Sequence, residues 1–141
     1  EGVVEMEWAG DMPNAFVDAR QVEQVFNNLS KNSWEAVLQT PSPKIVVTGG
    51  RDRNPDFVLV TVQDNGPGIP AADQERIFDK FTRLRGTNRT GGLGIGLAFC
   101  RLAVQGHGGR IWVESQDGNG TTFHFTLPLA TPQQIVTTAS T

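Results

Sequence analysis

The sequence has a single cysteine, no tyrosine and no long apolar run among its 141 residues. Cys100 cannot form an intramolecular disulfide or a cysteine-based zinc site, and the apolar segment around it, Leu97–Val104, is typical of a buried helix. This usage favours a reducing, cytoplasmic setting. No apolar run approaches the roughly 18 residues that would span a bilayer, and no basic-then-apolar signal opens the chain. Because the first residue is Glu1 rather than Met, we expect a piece of a longer protein, whose parent could still be membrane-anchored.

Basic runs are absent as well, and the formal net charge is -3. The chain therefore lacks the basic patch that would bind nucleic acid or an acidic membrane surface, and we expect neither as a partner. A hydrophobic content of 38% in this length suits one core. We expect one domain over residues 1–129, monomeric when isolated, followed by a flexible tail over residues 130–141 that is rich in Thr, Ser and Gln.

Hydrophobic periodicity divides the chain into strands and helices. Val3–Trp8 alternates Val4, Met6 and Trp8 with glutamates, which predicts a strand with one dry and one wet face. A helix with Asp18 as its N-cap is predicted next, because apolar or small residues recur at three- and four-residue steps. Those residues are Val22, Val25, Phe26, Leu29, Ser33, Ala36 and Val37, with the polar row Gln24, Asn28, Asn32 and Glu35 beside them.

The remaining segments predict two further strand pairs and two further helices. The strands are Ile45–Thr48, Phe57–Val62, Arg110–Glu114 and Thr122–Leu127, and the helices are Ala71–Phe81 and Ile95–Gln105. Thr82–Thr90 carries three arginines and little apolar content, which predicts a mobile loop. Together the elements predict an α/β fold, a two-layer α/β sandwich in which a mixed sheet is covered by helices on one face.

Two asparagines one helical turn apart form the first motif. Asn28 and Asn32 share one face of the first helix, so both amides can point at the same ligand. Amide oxygens are hard, neutral ligands that suit Mg²⁺, which usually shares its shell with water and phosphates. A pair of solvated asparagines is the other interpretation of this motif.

Two glycine turns follow strands. Asp64 ends a strand just before Gly66 and Gly68, where its carboxylate can accept a hydrogen bond from an exocyclic amine. Gly118 and Gly120 lead into the last strand, and Thr121 could offer its hydroxyl to the same base. Ordinary turn chemistry explains each stretch equally well when it is viewed alone.

A third glycine-rich stretch, Gly92–Leu97, opens the last predicted helix. Its unpaired N–H groups and the helix dipole would face an anion such as a phosphate. A flexible loop is the alternative. The stretch fits neither a dinucleotide fingerprint nor a P-loop, since no strand precedes it and no Gly-Lys-Ser/Thr follows.

The two histidines, His107 and His124, have no carboxylate or serine partner at a spacing known for nucleophilic catalysis. We expect His107 at a helix end, and His124 on the sheet face opposite Phe123 and Phe125. Both are predicted to be structural.

In this order and spacing the motifs resemble the N, G1, G2 and G3 boxes of the catalytic and ATP-binding domain of sensor histidine kinases. Phe78–Arg83 resembles the F box of that domain, and the resemblance extends from Asp18 to about Leu127. It implies the Bergerat ATP-binding fold of the GHKL superfamily, with ATP and Mg²⁺ as cofactors. The implied partners are a dimerisation and phosphoacceptor domain and a response-regulator receiver domain.

The resemblance also implies roles for single residues. Asn32 matches the Mg²⁺ ligand, Asp64 the adenine-reading carboxylate, and Arg83 the arginine that approaches the γ-phosphate, so Asn32 and Arg83 are the expected catalytic residues. The full implied nucleotide-binding set is Asn28, Asn32, Asp64, Gly66, Gly68, Ile69, Lys80, Arg83, Gly92, Leu93, Gly94, Ile95, Gly96, Leu97 and Thr121.

Three features refine the expected activity. ATP-hydrolysing members of the superfamily have a glutamate one turn before the metal ligand, whereas an amide such as Asn28 cannot act as a general base. Transfer of the γ-phosphoryl group to a histidine on another domain is therefore favoured over hydrolysis. Glu35 stands where many histidine kinases have Lys or Arg, and no segment resembles a phosphoacceptor hairpin. An anti-sigma-type serine kinase and a nucleotide-gated interaction module are the alternatives.

Overall fold

The computed structural model describes residues 4–8, 10, 15–79, 95–116 and 118–130. Within these residues one mixed sheet contains the strands β1 (Val4–Trp8), β2 (Ile45–Arg51), β3 (Phe57–Asp64), β4 (Ile111–Ser115) and β5 (Thr121–Pro128). The strand order is β1-β2-β3-β5-β4, and β1 runs parallel to β2 while every other pair is antiparallel. The helices are α1 (Ala19–Val37), α2 (Ala71–Gln74) and α3 (Ile95–Gly106). The α/β prediction is confirmed.

The core lies between the sheet and helices α1 and α3. Alternate residues of the central strands, such as Val62 on β3 and Phe123 on β5, are buried there because successive strand residues point to opposite faces. Phe26 of α1 packs edge-on against Phe125, with 5.5 Å between the ring centroids. The other face of the sheet carries polar residues, among them His124. That histidine therefore lies opposite Phe123 and Phe125, as expected.

Asp18 is the N-cap of helix α1, as the sequence predicts. The Asp18 carboxylate accepts hydrogen bonds from the backbone N–H groups of Arg20 and Gln21, at 3.0 and 3.2 Å. The Asp18 N–H donates to His107 Nε2 at 2.9 Å, and His107 Nδ1 lies 2.7 Å from the carbonyl oxygen of Ala103. His107 thus connects the end of α3 to the start of α1, which confirms its structural role.

Strand β1 differs from the prediction in which residues it buries. Val4, Met6 and Trp8 were expected to face the core, yet their exposed fractions are 52%, 64% and 47%. β1 is an edge strand, and α1 packs against β3 at the centre of the sheet. Alternation along a strand predicts which residues share a face, whereas burial depends on whether a helix covers that part of the sheet.

The helix predicted over Ala71–Phe81 is shorter than expected. Within the described residues 71–79, only Ala71–Gln74 is helical, and turns follow up to Phe78. Backbone bonds from Arg76 N to Asp73 O and from Asp79 N to Arg76 O span three residues instead of four. Such bonds tighten the chain into successive turns and prevent a regular α-helix from continuing.

Replacement of the α1 cap should destabilise the whole domain. In Asp18→Ala the N–H groups of Arg20 and Gln21 lose their acceptor, and we expect the free energy of unfolding to fall by about 1 kcal/mol. Urea denaturation followed by circular dichroism measures it. Glu23→Ala, at an exposed position of the same helix, is the control and should change little. Equal losses in the two variants would contradict the capping role.

Candidate functional site

The candidate site lies at the end of the sheet where β3 stops and β5 starts. Asp64 pairs with Thr121, and Thr121 pairs with Ser115, so these three residues form the last row of the helix-covered face. The Asp64 side chain is buried with 5% exposure, and its Oδ1 atom accepts a hydrogen bond from the Gly66 N–H at 2.9 Å. That bond holds a buried carboxylate at the strand end in one orientation.

The two glycine turns pack against each other beneath this row. Gly118 N donates to Pro67 O at 2.6 Å. Gly120 has φ +84°, and a Cβ atom there would lie 2.2 Å from the carbonyl oxygen of Asp64. Gly68 also has φ +84°, and its Cβ atom would lie 2.3 Å from the carbonyl oxygen of Gln116. Both turns therefore require glycine because protein backbone fills the space beside them.

Ser115 connects the two turns and was not singled out in the sequence. Its Oγ atom accepts from the Ile69 N–H at 2.7 Å, donates to the carbonyl oxygen of Gly120 at 2.7 Å, and lies 3.1 Å from Thr121 Oγ1. Gln74 Nε2 donates to the carbonyl oxygens of Ile69 and Ser115, at 2.8 and 2.9 Å. A serine at the end of a strand carries no motif signal, so only the sheet pairing reveals it.

Helix α1 brings its asparagines to the start of α3. Asn28 Nδ2 donates to the carbonyl oxygen of Gly96 at 3.0 Å, and Gln24 Nε2 donates to Asn28 Oδ1 at 2.7 Å. Asn32 Nδ2 donates to the backbone oxygen of Asn28 at 3.1 Å. The Asn28 amide is thus engaged within the protein at both ends, whereas the sequence predicts that it points at a ligand together with Asn32.

The buried thiol of Cys100, a residue of α3, contacts the backbone of α1. Cys100 Sγ donates to the backbone oxygen of Val25 at 3.8 Å. Burial raises the pKa of the thiol from 9.0 to about 12, although a hydrogen bond with the Asn28 side chain opposes that rise. Cys100 is therefore a neutral thiol at physiological pH and acts as a small apolar residue, as expected.

Several predicted site residues lie outside the described residues. They are Lys80, Arg83, Gly92, Leu93 and Gly94, together with the rest of the predicted loop Thr82–Thr90. Ile95 is the first residue of α3, and Leu97 is buried on that helix. Glu35 lies half-buried on α1, one turn after Asn32. Among the described residues, five of the predicted site residues lie together at the end of the sheet: Asp64, Gly66, Gly68, Ile69 and Thr121. Asn28 contacts Gly96 at the start of α3.

The sequence missed one histidine partner. His124 Nε2 lies 2.6 Å from Glu114 Oε1 on the neighbouring strand, and the His124 ring stacks on Trp112 at a centroid distance of 4.9 Å. Sequence spacing could not reveal this carboxylate, because the register of β4 and β5 places Glu114 beside His124. The pair lies on the open face of the sheet, away from Asp64.

The described residues contain no cluster of three His, Cys, Asp or Glu side chains that could hold a metal ion. Mg²⁺ can also be held by neutral amide oxygens, phosphates and water. The donor chemistry of Asn32 fits such a shared shell, since Mg²⁺ commonly keeps several waters and takes few protein ligands.

The family model of histidine kinase-, DNA gyrase B- and HSP90-like ATPases matches residues 17–131. The chain belongs to this family. Its members bind ATP, and the match includes every described residue of the candidate site. In the described residues no helix is both long and apolar enough to cross a membrane.

Among curated relatives, the adaptive-response sensory kinase SasA of Synechocystis sp. is 43% identical over 119 residues, which are 84% of this chain and 30% of the relative. The phytochrome-like protein Cph1 of the same organism is 43% identical over 120 residues, 85% of this chain and 16% of that protein. The chain thus spans less than a third of the length of these relatives.

Solved structures agree with the sequence relatives. The nucleotide-free catalytic domain of the histidine kinase ThkA aligns with a TM-score of 0.74 and 32% identity, covering 93% of this chain and 80% of that one. Full-length ShkA in complex with AMPPNP aligns with a TM-score of 0.72 and 29% identity, covering 91% of this chain and 26% of that one. Within the family, this chain is of the sensor histidine kinase catalytic type.

The packing of the glycine turns can be tested by a matched pair of alanine substitutions. Gly118 and Gly120 share φ +84°, but a Cβ atom at Gly118 meets nothing within 4 Å. We expect Gly118→Ala to cost about 1 kcal/mol for its backbone conformation alone, and Gly120→Ala to cost at least about 3 kcal/mol because its Cβ atom also strikes Asp64. Thermal and urea unfolding of both variants measures the difference. Similar losses would show that the turns do not pack closely.

Proposed function

We propose that this chain binds ATP with Mg²⁺ and donates the γ-phosphoryl group to a histidine on a separate dimerisation domain of its parent kinase, in two-component signal transduction. The observation that carries the proposal is the buried Asp64 carboxylate, held by the Gly66 N–H at the end of β3. The group would then pass to an aspartate of a response-regulator receiver domain. SasA is named as a sensory kinase and ThkA as a histidine kinase, which supports this role.

Asp64 is suited to recognise the exocyclic amine of adenine. A carboxylate in its ionised form has only acceptors, so it favours the amine of adenine and disfavours the carbonyl oxygen that guanine has at the same place. Its position is fixed by the two glycine turns, which reduces the entropy lost when a base binds. Selectivity for ATP over GTP is the expected consequence.

Asn32 would supply the protein's ligand to Mg²⁺. Its amide nitrogen donates to the backbone oxygen of Asn28, which fixes the rotation of the side chain. The metal, when bound, neutralises charge on the phosphates and helps to align them for transfer. Arg83, Lys80 and the glycines Gly92 and Gly94 keep the nucleotide-binding roles that the resemblance implies.

Asn28 supports transfer rather than hydrolysis. An amide cannot take a proton from water, so the chain lacks the base that a hydrolytic member needs at this position. The hydrogen bond from Asn28 Nδ2 to the Gly96 oxygen instead couples α1 to the start of α3, where the phosphates would bind. The domain would therefore position ATP and leave the acceptor chemistry to its partner.

The proposed setting follows from the same function. The parent kinase would place this domain in the cytoplasm, where ATP and receiver domains are found, whether or not another part of the parent is anchored in a membrane. The isolated domain is proposed to be monomeric, since dimerisation belongs to the phosphoacceptor domain.

Substitution of the base-reading carboxylate tests the proposal most directly. We expect Asp64→Asn to fold, because its amide oxygen can still accept from the Gly66 N–H, and to lose roughly 1.5–3 kcal/mol of ATP binding free energy. Calorimetric titration of the unsubstituted chain with ATP and GTP, and of the variant with ATP, provides the measurement. Asp56→Asn, at an exposed position, is the control. Equal affinity of the unsubstituted chain for ATP and GTP would refute the adenine assignment.

Substitution of the metal ligand should separate binding from transfer. We expect Asn32→Ala to reduce the Mg²⁺ dependence of ATP binding and to abolish phosphoryl transfer to an added histidine-containing hairpin of the parent kinase. Calorimetric ATP titration measures the first effect and radiolabelled transfer the second, each at several Mg²⁺ concentrations. Asn27→Ala, on the exposed side of α1, serves as the matched control. Transfer by Asn32→Ala at the rate of the control would exclude a metal-binding role.

A further inference from the structure

Strand β1 presents large apolar side chains to solvent on the helix-covered side of the sheet. Val4 and Met6 pair with the buried residues Ile45 and Val47, and paired residues of neighbouring strands share one face. Trp8 lies on the same face two residues further along. All three side chains of β1 are exposed, although their neighbours on β2 are not. A group of large exposed apolar side chains is typical of an interaction site.

Helix α1 adds an exposed aromatic side chain beside β1. α1 contacts α3 through Asn28, and α3 packs against β4 and β5, so the flank of α1 away from α3 lies on the side of β2 and β1. Trp34 is six residues after Asn28, or about 240° around the helix axis, which places it on that outer flank. Trp34 is also exposed. We call Val4, Met6, Trp8 and Trp34 the β1 surface.

The backbone of β1 is unpaired along its outer edge. Among the described residues β1 pairs with β2 alone, and it stands at one end of the strand order. Its outward N–H and C=O groups can therefore pair with another extended chain. Such a chain would place every second side chain on the β1 surface and the intervening ones on the opposite face of the sheet. A helix suits this edge less well, because its own backbone groups are already paired.

Two glutamates on the opposite face of β1 select the charge of the partner. Glu5 and Glu7 alternate with the apolar residues, and Lys44 Nζ lies 3.4 Å from Glu5 Oε2, whereas Glu7 forms no ion pair with any described residue. A basic residue opposite Glu7 on an added strand would be attracted, and an acidic one would be repelled. Antiparallel pairing of two copies about Met6 would set Glu5 against Glu7 of the other copy, so these charges disfavour self-association.

We propose that the outer edge of β1 is a peptide-binding site, which takes up an extended segment of alternating apolar and basic residues as a sixth strand of the sheet. The apolar residues of the segment cover the β1 surface, its backbone pairs with β1, and its basic residues face Glu7. This edge is two strands away from Asp64, so the inference does not depend on ATP binding.

The test is an NMR titration of the isotope-labelled chain with a capped synthetic heptapeptide of alternating valine and lysine. Saturable binding is expected with a Kd below about 1 mM, the weak end of specific affinities. The indole N–H signals of Trp8 and Trp34 should shift, while that of Trp112, on the other edge strand β4, should not. The same peptide with glutamate in place of lysine should bind about tenfold more weakly. Absence of binding, or equal affinity for the two peptides, would overturn the inference.

Charge reversal on the protein should reverse this preference. In Glu7→Lys we expect the glutamate peptide to bind about tenfold more tightly than the lysine peptide. Glu75→Lys makes the same change in net charge at an exposed position at the end of α2, which packs against β4, and is the matched control. An unchanged preference in Glu7→Lys would overturn the inference, and so would reversal in both variants.

Methylation of the peptide amides tests the strand pairing itself. In an extended segment the amides of the valines and those of the lysines point to opposite edges, so only one of the two sets can pair with β1. Methylation of that set should abolish binding, and methylation of the other should leave it nearly unchanged. Equal effects of both sets would contradict the addition of a strand. Sedimentation of the chain alone should show a monomer, and a dimer that Met6→Lys dissociates would mean that a second copy occupies the edge and would overturn the proposal.

Discussion

The close approach of the turn at Gly120 to the backbone of Asp64 is the constraint on which the candidate site depends. No side chain fits between them, since a Cβ atom would lie 2.2 Å from the Asp64 oxygen. This contact fixes the start of β5 against the end of β3. Thr121 and Ser115 follow in register, and Ser115 then holds the Ile69 N–H at 2.7 Å. One steric requirement thus orients a buried carboxylate, two hydroxyls and a neighbouring turn.

The helical layer completes the site through polar contacts. The bond of 3.0 Å from Asn28 to the Gly96 oxygen and the bond of 2.9 Å from the Asp18 N–H to His107 connect α1 to both ends of α3. These bonds hold the two helices side by side above the sheet, and the apolar contacts between them supply most of the stabilisation. The proposed ligand-binding groups on α1 are therefore carried by packed helices rather than by a loop.

The sequence predicted local features well and long-range burial less well. Asp18 as a cap, the helices at Val25 and Cys100 and the strand ending at Asp64 follow from spacing alone, because each depends on residues close in the chain. The exposure of Met6 and the partner of His124 depend on which element lies opposite, whereas α2 ends early because its backbone turns into three-residue bonds. Ser115 carried no motif signal, since its importance lies in the contacts that the pairing of β4 and β5 gives it.

The chemistry at position 28 distinguishes kinds of activity better than the fold does. A glutamate there could serve as a base, but it could not donate to the Gly96 oxygen as Asn28 does at 3.0 Å, and two acceptors would then face each other. The carbonyl oxygen of Gly96 at the start of α3 therefore requires a hydrogen-bond donor at position 28, which an amide supplies. A water-activating ATPase or a serine kinase that needs a carboxylate base would require a different contact between α1 and α3. The amide thus favours a domain that positions ATP for an acceptor supplied by another domain.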